Sequence, residues 1–304
     1  MYSCLIRGQV EFERCLPESV SCIRATTRRM ALRDALETSR NVRQMAEDYA
    51  SEFDTILAEL ERGRVIHLRQ QPVFEWEIEG RAHFSANWRF EQMMVNFIIM
   101  KEAFKEGLRV GAEGDYKNAK KSFLEAAELC NSVNKKCISQ WPFRDMATLN
   151  MTHDDFWHCE QKYCEAFGTL MTLQYAIAEK KGTLMHYISK KMYGEASLAL
   201  HQHEDANALH DLALVTFAYA KATAFWNAGE HGKALGMLQW QGAQKPELEQ
   251  ASGLAAWFQE QEDIFDLWRS ENNNVYFREP EYDENAIEDV VKDKNETTKR
   301  KNKY

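Results

Sequence analysis

Proline and glycine are scarce, at five and 14 in 304 residues. A sandwich or barrel needs turn residues every eight to twelve positions, so a turn-rich all-β architecture is excluded. No apolar run approaches the roughly 20 residues needed to cross a bilayer as a helix. The opening apolar stretch, Met1 to Arg7, is too short for the core of a signal peptide. The cysteines Cys4, Cys15, Cys22, Cys130, Cys137, Cys159 and Cys164 are odd in number and lack the paired spacing of small disulfide-stapled domains. Reduced thiols in the cytoplasm are expected. Positive charge is also short: a formal net charge of -9 argues against a general nucleic-acid binder, which needs a concentrated cationic surface. Asn295-Glu296-Thr297 matches a glycosylation acceptor, but carries no meaning in a cytosolic chain.

What remains is helical vocabulary. Ala, Leu, Glu, Lys and Met are abundant, and 44% of residues are hydrophobic, enough for a packed core. From Arg29 to Arg62, apolar positions Met30, Leu36, Val42, Met45, Tyr49, Phe53, Ile56, Leu57 and Leu60 recur at threes and fours, predicting one or two amphipathic helices. The first 25 residues are less periodic, and Val10, Phe12 and Leu16-Pro17 suggest a short strand or extended arm. Residues 71–84 break the rhythm as a short connection before a long helix begins at Trp88. Helices after Gly114-Asp115-Tyr116 and around Gly229 share a grammar of alanines and aromatics, as in tetratricopeptide hairpins. A helical pair, His153 to Lys180 and Thr183 to Glu204, should turn at Lys180-Lys181-Gly182. The helical domain is expected over residues 1–280, followed by a charged, disordered tail over 281–304.

Candidate chemistry is sparse. The cluster His153-Asp154-Asp155-Phe156-Trp157-His158-Cys159, with Cys164, invites a zinc reading, but its paired ligands lie five apart rather than at the i,i+4 spacing of a zinc helix. Ordinary helix-start carboxylates with buried Trp and Cys explain it better. His201, His203 and His210 stand beside acids, yet no nucleophile, glycine-rich phosphate loop or oxyanion turn accompanies them. An enzyme is therefore not expected, and neither a metal nor a cofactor is implied. An acid-base enzyme would require those three histidines to line one pocket.

The helix from Thr183 to Glu204 is more informative. Its apolar positions cover over half the wheel, where a surface helix needs about a third. Either it is buried on two sides or part of its arc is exposed to receive a partner helix, with Ile188 and Met192 one turn apart as anchors. Lys117, Lys120 and Lys121 read as a solvated face, with weak contact to an anionic membrane as the alternative.

Several stretches together resemble a known family. Phe90-Glu91-Gln92-Met93-Met94-Val95-Asn96-Phe97 resembles the Bro-one domain signature, an aromatic-Glu pair opening a long helix, with Phe74-Glu75-Trp76 upstream where that family has an aromatic-x-Trp. Tyr116 to Leu129, Lys191 to Ser197 and the closing Asn273 to Pro280 are similar to later family segments in the same order. The resemblance spans residues 40 to 280.

That resemblance implies an all-α, elongated, banana-shaped scaffold with a tetratricopeptide-like centre. It also implies a small N-terminal sheet, reduced in a chain this short at that end. In ALIX-like adaptors the domain binds the C-terminal amphipathic helix of an ESCRT-III subunit in an apolar groove. The positions matching the groove are Tyr175, Ile188 and Met192. A cytoplasmic adaptor, peripherally associated with endosomal membranes, follows from that likeness. No nucleic-acid or small-molecule partner is implied. A rhophilin-like signalling scaffold, using the same fold for another partner, is the alternative.

Overall fold

The computed structural model describes residues 3–15, 20–62, 71–141, 149–179, 181, 184–242 and 255–281. The architecture is all-α with one small sheet. Two compact units emerge, one of Met1–Arg109 with Ser122–Gln161, the other of Val110–Lys121 with Lys162–Tyr304.

In the first unit, β1 (Cys4–Ile6), β2 (Phe74–Ile78) and β3 (Arg81–Ser85) form an antiparallel sheet in that order. A small sheet, as the resemblance implies, is present. Residues 71–84, expected to be a plain connection, are largely a β-hairpin. Phe74, Trp76 and Ile78 alternate inward, as a strand with one buried face must. Glu79 and Gly80 supply the two positive φ angles, 51° and 74°, that a tight hairpin turn requires.

The expected N-terminal strand or arm is also corrected, because the strand is Cys4–Ile6 and Phe12 opens the short helix α1 (Phe12–Cys15). Phe12 is fully buried against Tyr49, Phe53, Phe74 and Trp88. Residues Leu16 and Pro17 lie outside the described residues. The helical stretch after them is two helices, α2 (Val20–Thr38) and α3 (Val42–Glu61). They are separated where Ser39 and Asn41 take φ of 54° and 52°, outside helical space.

The long helix α4 (Trp88–Ala112) follows, then α5 (Tyr116–Val133). A Cβ on Gly107 would sit 2.9 Å from the Phe123 ring, so α5 packs on α4 only because that position is bare. Downstream, α6 (Asp154–Ala178) starts with two acids that complement its positive N-terminal end. Trp157 is buried near that start and donates to the Met151 carbonyl at 2.7 Å.

The first unit is organised around Glu91, which is fully buried. Arg29 on α2 reaches it at 2.8 Å, the Tyr49 hydroxyl on α3 donates at 2.8 Å, and the Trp76 indole on β2 donates at 2.6 Å. Arg29 also donates to the Gly8 carbonyl. Burial pulls the Arg29 guanidinium down, but the Glu91 carboxylate outweighs that and leaves it above its ordinary value. Burial, reinforced by Glu91, raises the Tyr49 phenol well above its usual range.

The second unit stacks α7 (Met185–Ala199), α8 (Ala206–Asn227), α9 (His231–Gly242) and α10 (Ala255–Glu271) with the later part of α6. Ala196, Ala199, Ala206, Ala213, Ala218, Ala222 and Ala234 are fully buried, which lets the helices approach closely. Tyr219 stacks on Phe265 at 4.8 Å and Trp226 on Trp268 at 4.7 Å, joining α8 to α10. A π-helical turn, Asn272–Tyr276, ends α10, and the buried Asn272 amide exchanges bonds of 2.8 and 3.1 Å with the Arg278 backbone.

Removing the Glu91 carboxylate should strand a buried guanidinium. Glu91→Ala is expected to lose about 3–5 kcal/mol, and Tyr49→Phe about 1 kcal/mol, in urea unfolding followed by circular dichroism. Equal, small losses would refute the central role of Glu91.

Candidate functional site

The helix α7 has three differently employed faces. Ser189 meets Thr216 of α8 at 2.7 Å, and Met192 and Ala196, three and seven residues on, share that buried side. Glu195 turns toward α6 and accepts from Thr169 at 2.6 Å. Leu184, just before α7, and Ile188 remain, four apart and on one stripe. Leu184 is half exposed and Ile188 partly so.

These two face an open groove of about 350 Å³ lined by Met171, Thr172, Tyr175 and Ala176 of α6, and by Tyr116, Lys117 and Lys120 of α5. Lys181 completes it. The Nζ atoms of Lys117 and Lys181 each stand 5.1 Å from the centre of the Tyr175 ring, within range of its π cloud. The result is an apolar floor with an aromatic centre and a cationic rim.

Of the residues singled out from sequence, Tyr175 and Ile188 are brought together in this groove. Met192 is not. It is fully buried, because position 192 lies about 80° round the helix from Leu184, on the side where Ser189 meets Thr216 of α8. The helix's wide apolar arc is divided: Met185, Met192, Ala196 and Ala199 are interior, while Leu184, Tyr187 and Leu198 are exposed. Leu184 was not singled out, although its i,i+4 relation to Ile188 was available. The lysines were noted only as a solvated or membrane-facing surface, whereas Lys117 and Lys120 border the groove and Lys121 bonds Asn118. The turn residues Lys180, Gly182 and Thr183 lie outside the described residues.

The other candidates resolve into packing. His203 stacks on Tyr163 at 3.9 Å and His210 lies on Tyr193 at 4.3 Å, so the two rest on separate tyrosines. Neither they nor His201 line the groove. Among the described residues no group of three His, Cys, Asp or Glu side chains is placed to hold a metal ion, and no helix is long and apolar enough to cross a membrane. All seven cysteines are buried and none is in a disulfide. Burial pushes the Cys4 and Cys137 thiols up to about 12, which leaves them unreactive near neutrality.

Glu195 is the buried acid behind α7. Burial raises its carboxyl above the ordinary value, against the opposing pull of the Thr169 bond and Lys191. A raised folded pKa means the unfolded chain ionises first. This group's contribution is therefore fully present below the ordinary carboxyl range and lost as pH rises through the folded value. Glu195→Gln should accordingly raise the urea midpoint at pH 7, with the gain shrinking at pH 4. A gain of the same size at both pH values would contradict the assignment.

No family model matches the sequence, and no curated protein matches it significantly. Structure is more informative. A solved structure described as the structural basis for endosomal targeting by the Bro1 (Bro-one) domain superposes with a TM-score of 0.69, covering 95% of this chain and 89% of that one at 11% identity. Despite that low identity the backbone path is shared, and the chain has a Bro1-like fold.

Proposed function

We propose that the chain is a non-enzymatic protein-binding scaffold of endosomal sorting or membrane remodelling, which recruits or caps ESCRT-III by seating the C-terminal amphipathic helix of one subunit. One observation carries this reading: Tyr175 and Ile188, with Leu184, line a single open apolar groove rimmed by Lys117, Lys120 and Lys181. The Bro1-like fold, shared with a domain described in terms of endosomal targeting, supports it.

An incoming helix would lay its apolar face on Ile188, Leu184 and the Tyr175 ring, with these anchors supplying most of the affinity. The lysine rim would favour acidic flanks and fix orientation more than strength. Met192 would act from behind, holding the turn of α7 that presents Ile188. The same lysines would lend weak attraction to an anionic membrane surface, consistent with a cytoplasmic protein held peripherally at endosomes.

Fluorescence anisotropy with labelled ESCRT-III C-terminal helices tests the proposal. Ile188→Asp places a charge in the apolar floor and should weaken binding by about 2 kcal/mol or more, roughly thirtyfold in Kd, with helical circular dichroism unchanged. Absence of wild-type binding to every such helix would overturn it in favour of a scaffold for another partner, of the rhophilin-like kind.

A further inference from the structure

A second cavity, of about 570 Å³, lies between α8 and α10, apart from the proposed helix receptor though sharing Ala176 and Lys181 with it. Its volume falls in the range of sites for small organic molecules. Along α10, Trp257, Glu260, Ile264 and Trp268 stand at i, i+3, i+7 and i+11, so they share one stripe, and all four line the cavity. The opposing stripe of α8 is recessed, because Ala220, Thr223 and Ala224 have little side chain to fill it. Ring contacts fix the direction of the slot: Tyr219 meets Trp257 at 5.2 Å, and Trp226 stacks on Trp268 at 4.7 Å. Trp257 and Trp268 therefore stand at opposite ends, about 16 Å apart along the helix axis. Ile177 of α6 and Met185 of α7 add to the apolar wall.

One end carries the charge. The Trp257 and Tyr219 rings are 88° apart, a near-perpendicular corner, and Glu260 stands one turn along α10 from Trp257. The Glu260 side chain is exposed and has no hydrogen-bond or ion-pair partner among the described residues. Of the basic side chains bordering the cavity, Lys181 is engaged elsewhere: its Nζ lies 3.8 Å from Glu179 and 5.1 Å from the centre of the Tyr175 ring, and neither residue borders this cavity. The His186 ring packs on Tyr187 at 3.8 Å. Electron-rich rings beside an unpaired carboxylate favour a cation. The apolar slot beyond them requires that the cation carry an apolar body, since a bare, strongly hydrated ion gains nothing there. A neutral molecule would leave Glu260 unanswered, and an anion would be repelled by it.

We propose that this cavity binds a hydrophobic ammonium, its substituted ammonium head seated at Trp257, Tyr219 and Glu260 and its apolar body, up to about 16 Å long, lying over Ala220 and Ala224 toward Trp268. A free amine and the choline head of a single-chain lipid share this chemistry.

Octyltrimethylammonium, octanol and octyl sulfate, used below their micelle concentrations, carry one tail under three head charges. In isothermal titration calorimetry on the full chain, the ammonium should bind about tenfold more tightly than octanol, and the sulfate more weakly than either. Glu260→Gln should bring the ammonium to within about threefold of octanol. Ala224→Leu, which fills the recessed floor from an exposed position, should abolish binding of both, with circular dichroism confirming that each variant is folded. Equal affinities for ammonium and octanol, or a preference that survives Glu260→Gln, would overturn the choice of ligand. Absence of saturable binding by every probe, or binding unaffected by Ala224→Leu, would overturn the site. Ile188 lies outside this cavity, so Ile188→Asp should leave the affinities unchanged; loss of binding in that variant would place the probes in the groove and refute the assignment. Octylphosphocholine, which adds a phosphate beside the same ammonium, separates the sources: binding as tight as that of octyltrimethylammonium supports a lipid head, and binding about tenfold weaker supports a free amine.

Discussion

The buried carboxylate of Glu91 is the constraint on which the first unit depends. A carboxylate removed from water costs several kcal/mol unless its lone pairs are filled. Here three elements fill them: α2 through Arg29, α3 through Tyr49 and the sheet through Trp76. None of these donors is near Glu91 in sequence, Trp76 being the nearest at 15 residues away. Satisfying the charge therefore specifies how two helices and a hairpin meet α4. A greasy replacement would remove the desolvation cost, but it would not dictate that arrangement. The aromatic-Glu and aromatic-x-Trp motifs of the sequence are thus two halves of one hydrogen-bonded contact.

The second unit uses a different device. Its helices approach through alanines and are locked by stacked aromatics. The small polar link between Ser189 and Thr216 fixes the rotation of α7 on α8. That rotation decides which apolar residues of α7 are core and which are surface. The exposed stripe is then a by-product of packing elsewhere: with Met192 and Ala196 committed to α8 and Glu195 to α6, Leu184 and Ile188 are left to form a groove with Tyr175. The lysines gather around it because α5 begins beside the end of α6, bringing Lys117 next to the ring that Lys181 also approaches.

Much of this was legible in the residues. Helical content, the extent of α6 to within two residues and the glycine turns before α5 and α9 followed from periodicity and punctuation, and the Bro1-like architecture from the family resemblance; α7 was read as far as Glu204 but ends at Ala199, where the chain turns toward α8. Tyr175 and Ile188, which border the groove, were named through the family resemblance. The hairpin was missed, although the alternation Phe74, Trp76, Ile78 and the Glu79-Gly80 pair were in view, because Pro72 and a short span suggested a connection. The N-terminal strand was placed too late. Three residues are too few to show alternation, and only pairing of Cys4 to Ile6 with β2 makes them a strand.

By itself the sequence determined most of the long helical segments, since local periodicity and propensity act within one element. It also set the charge of each helix and the acidic pattern that follows Glu281. Only the tertiary structure decided that Met192 is interior while Leu184 is exposed, and that Lys117 and Lys120 border a groove rather than an open face. A helical wheel specifies angles about one axis. Which angle faces solvent depends on where neighbouring helices sit, and that is set by contacts such as Ser189 with Thr216 and Glu195 with Thr169, between residues more than twenty positions apart.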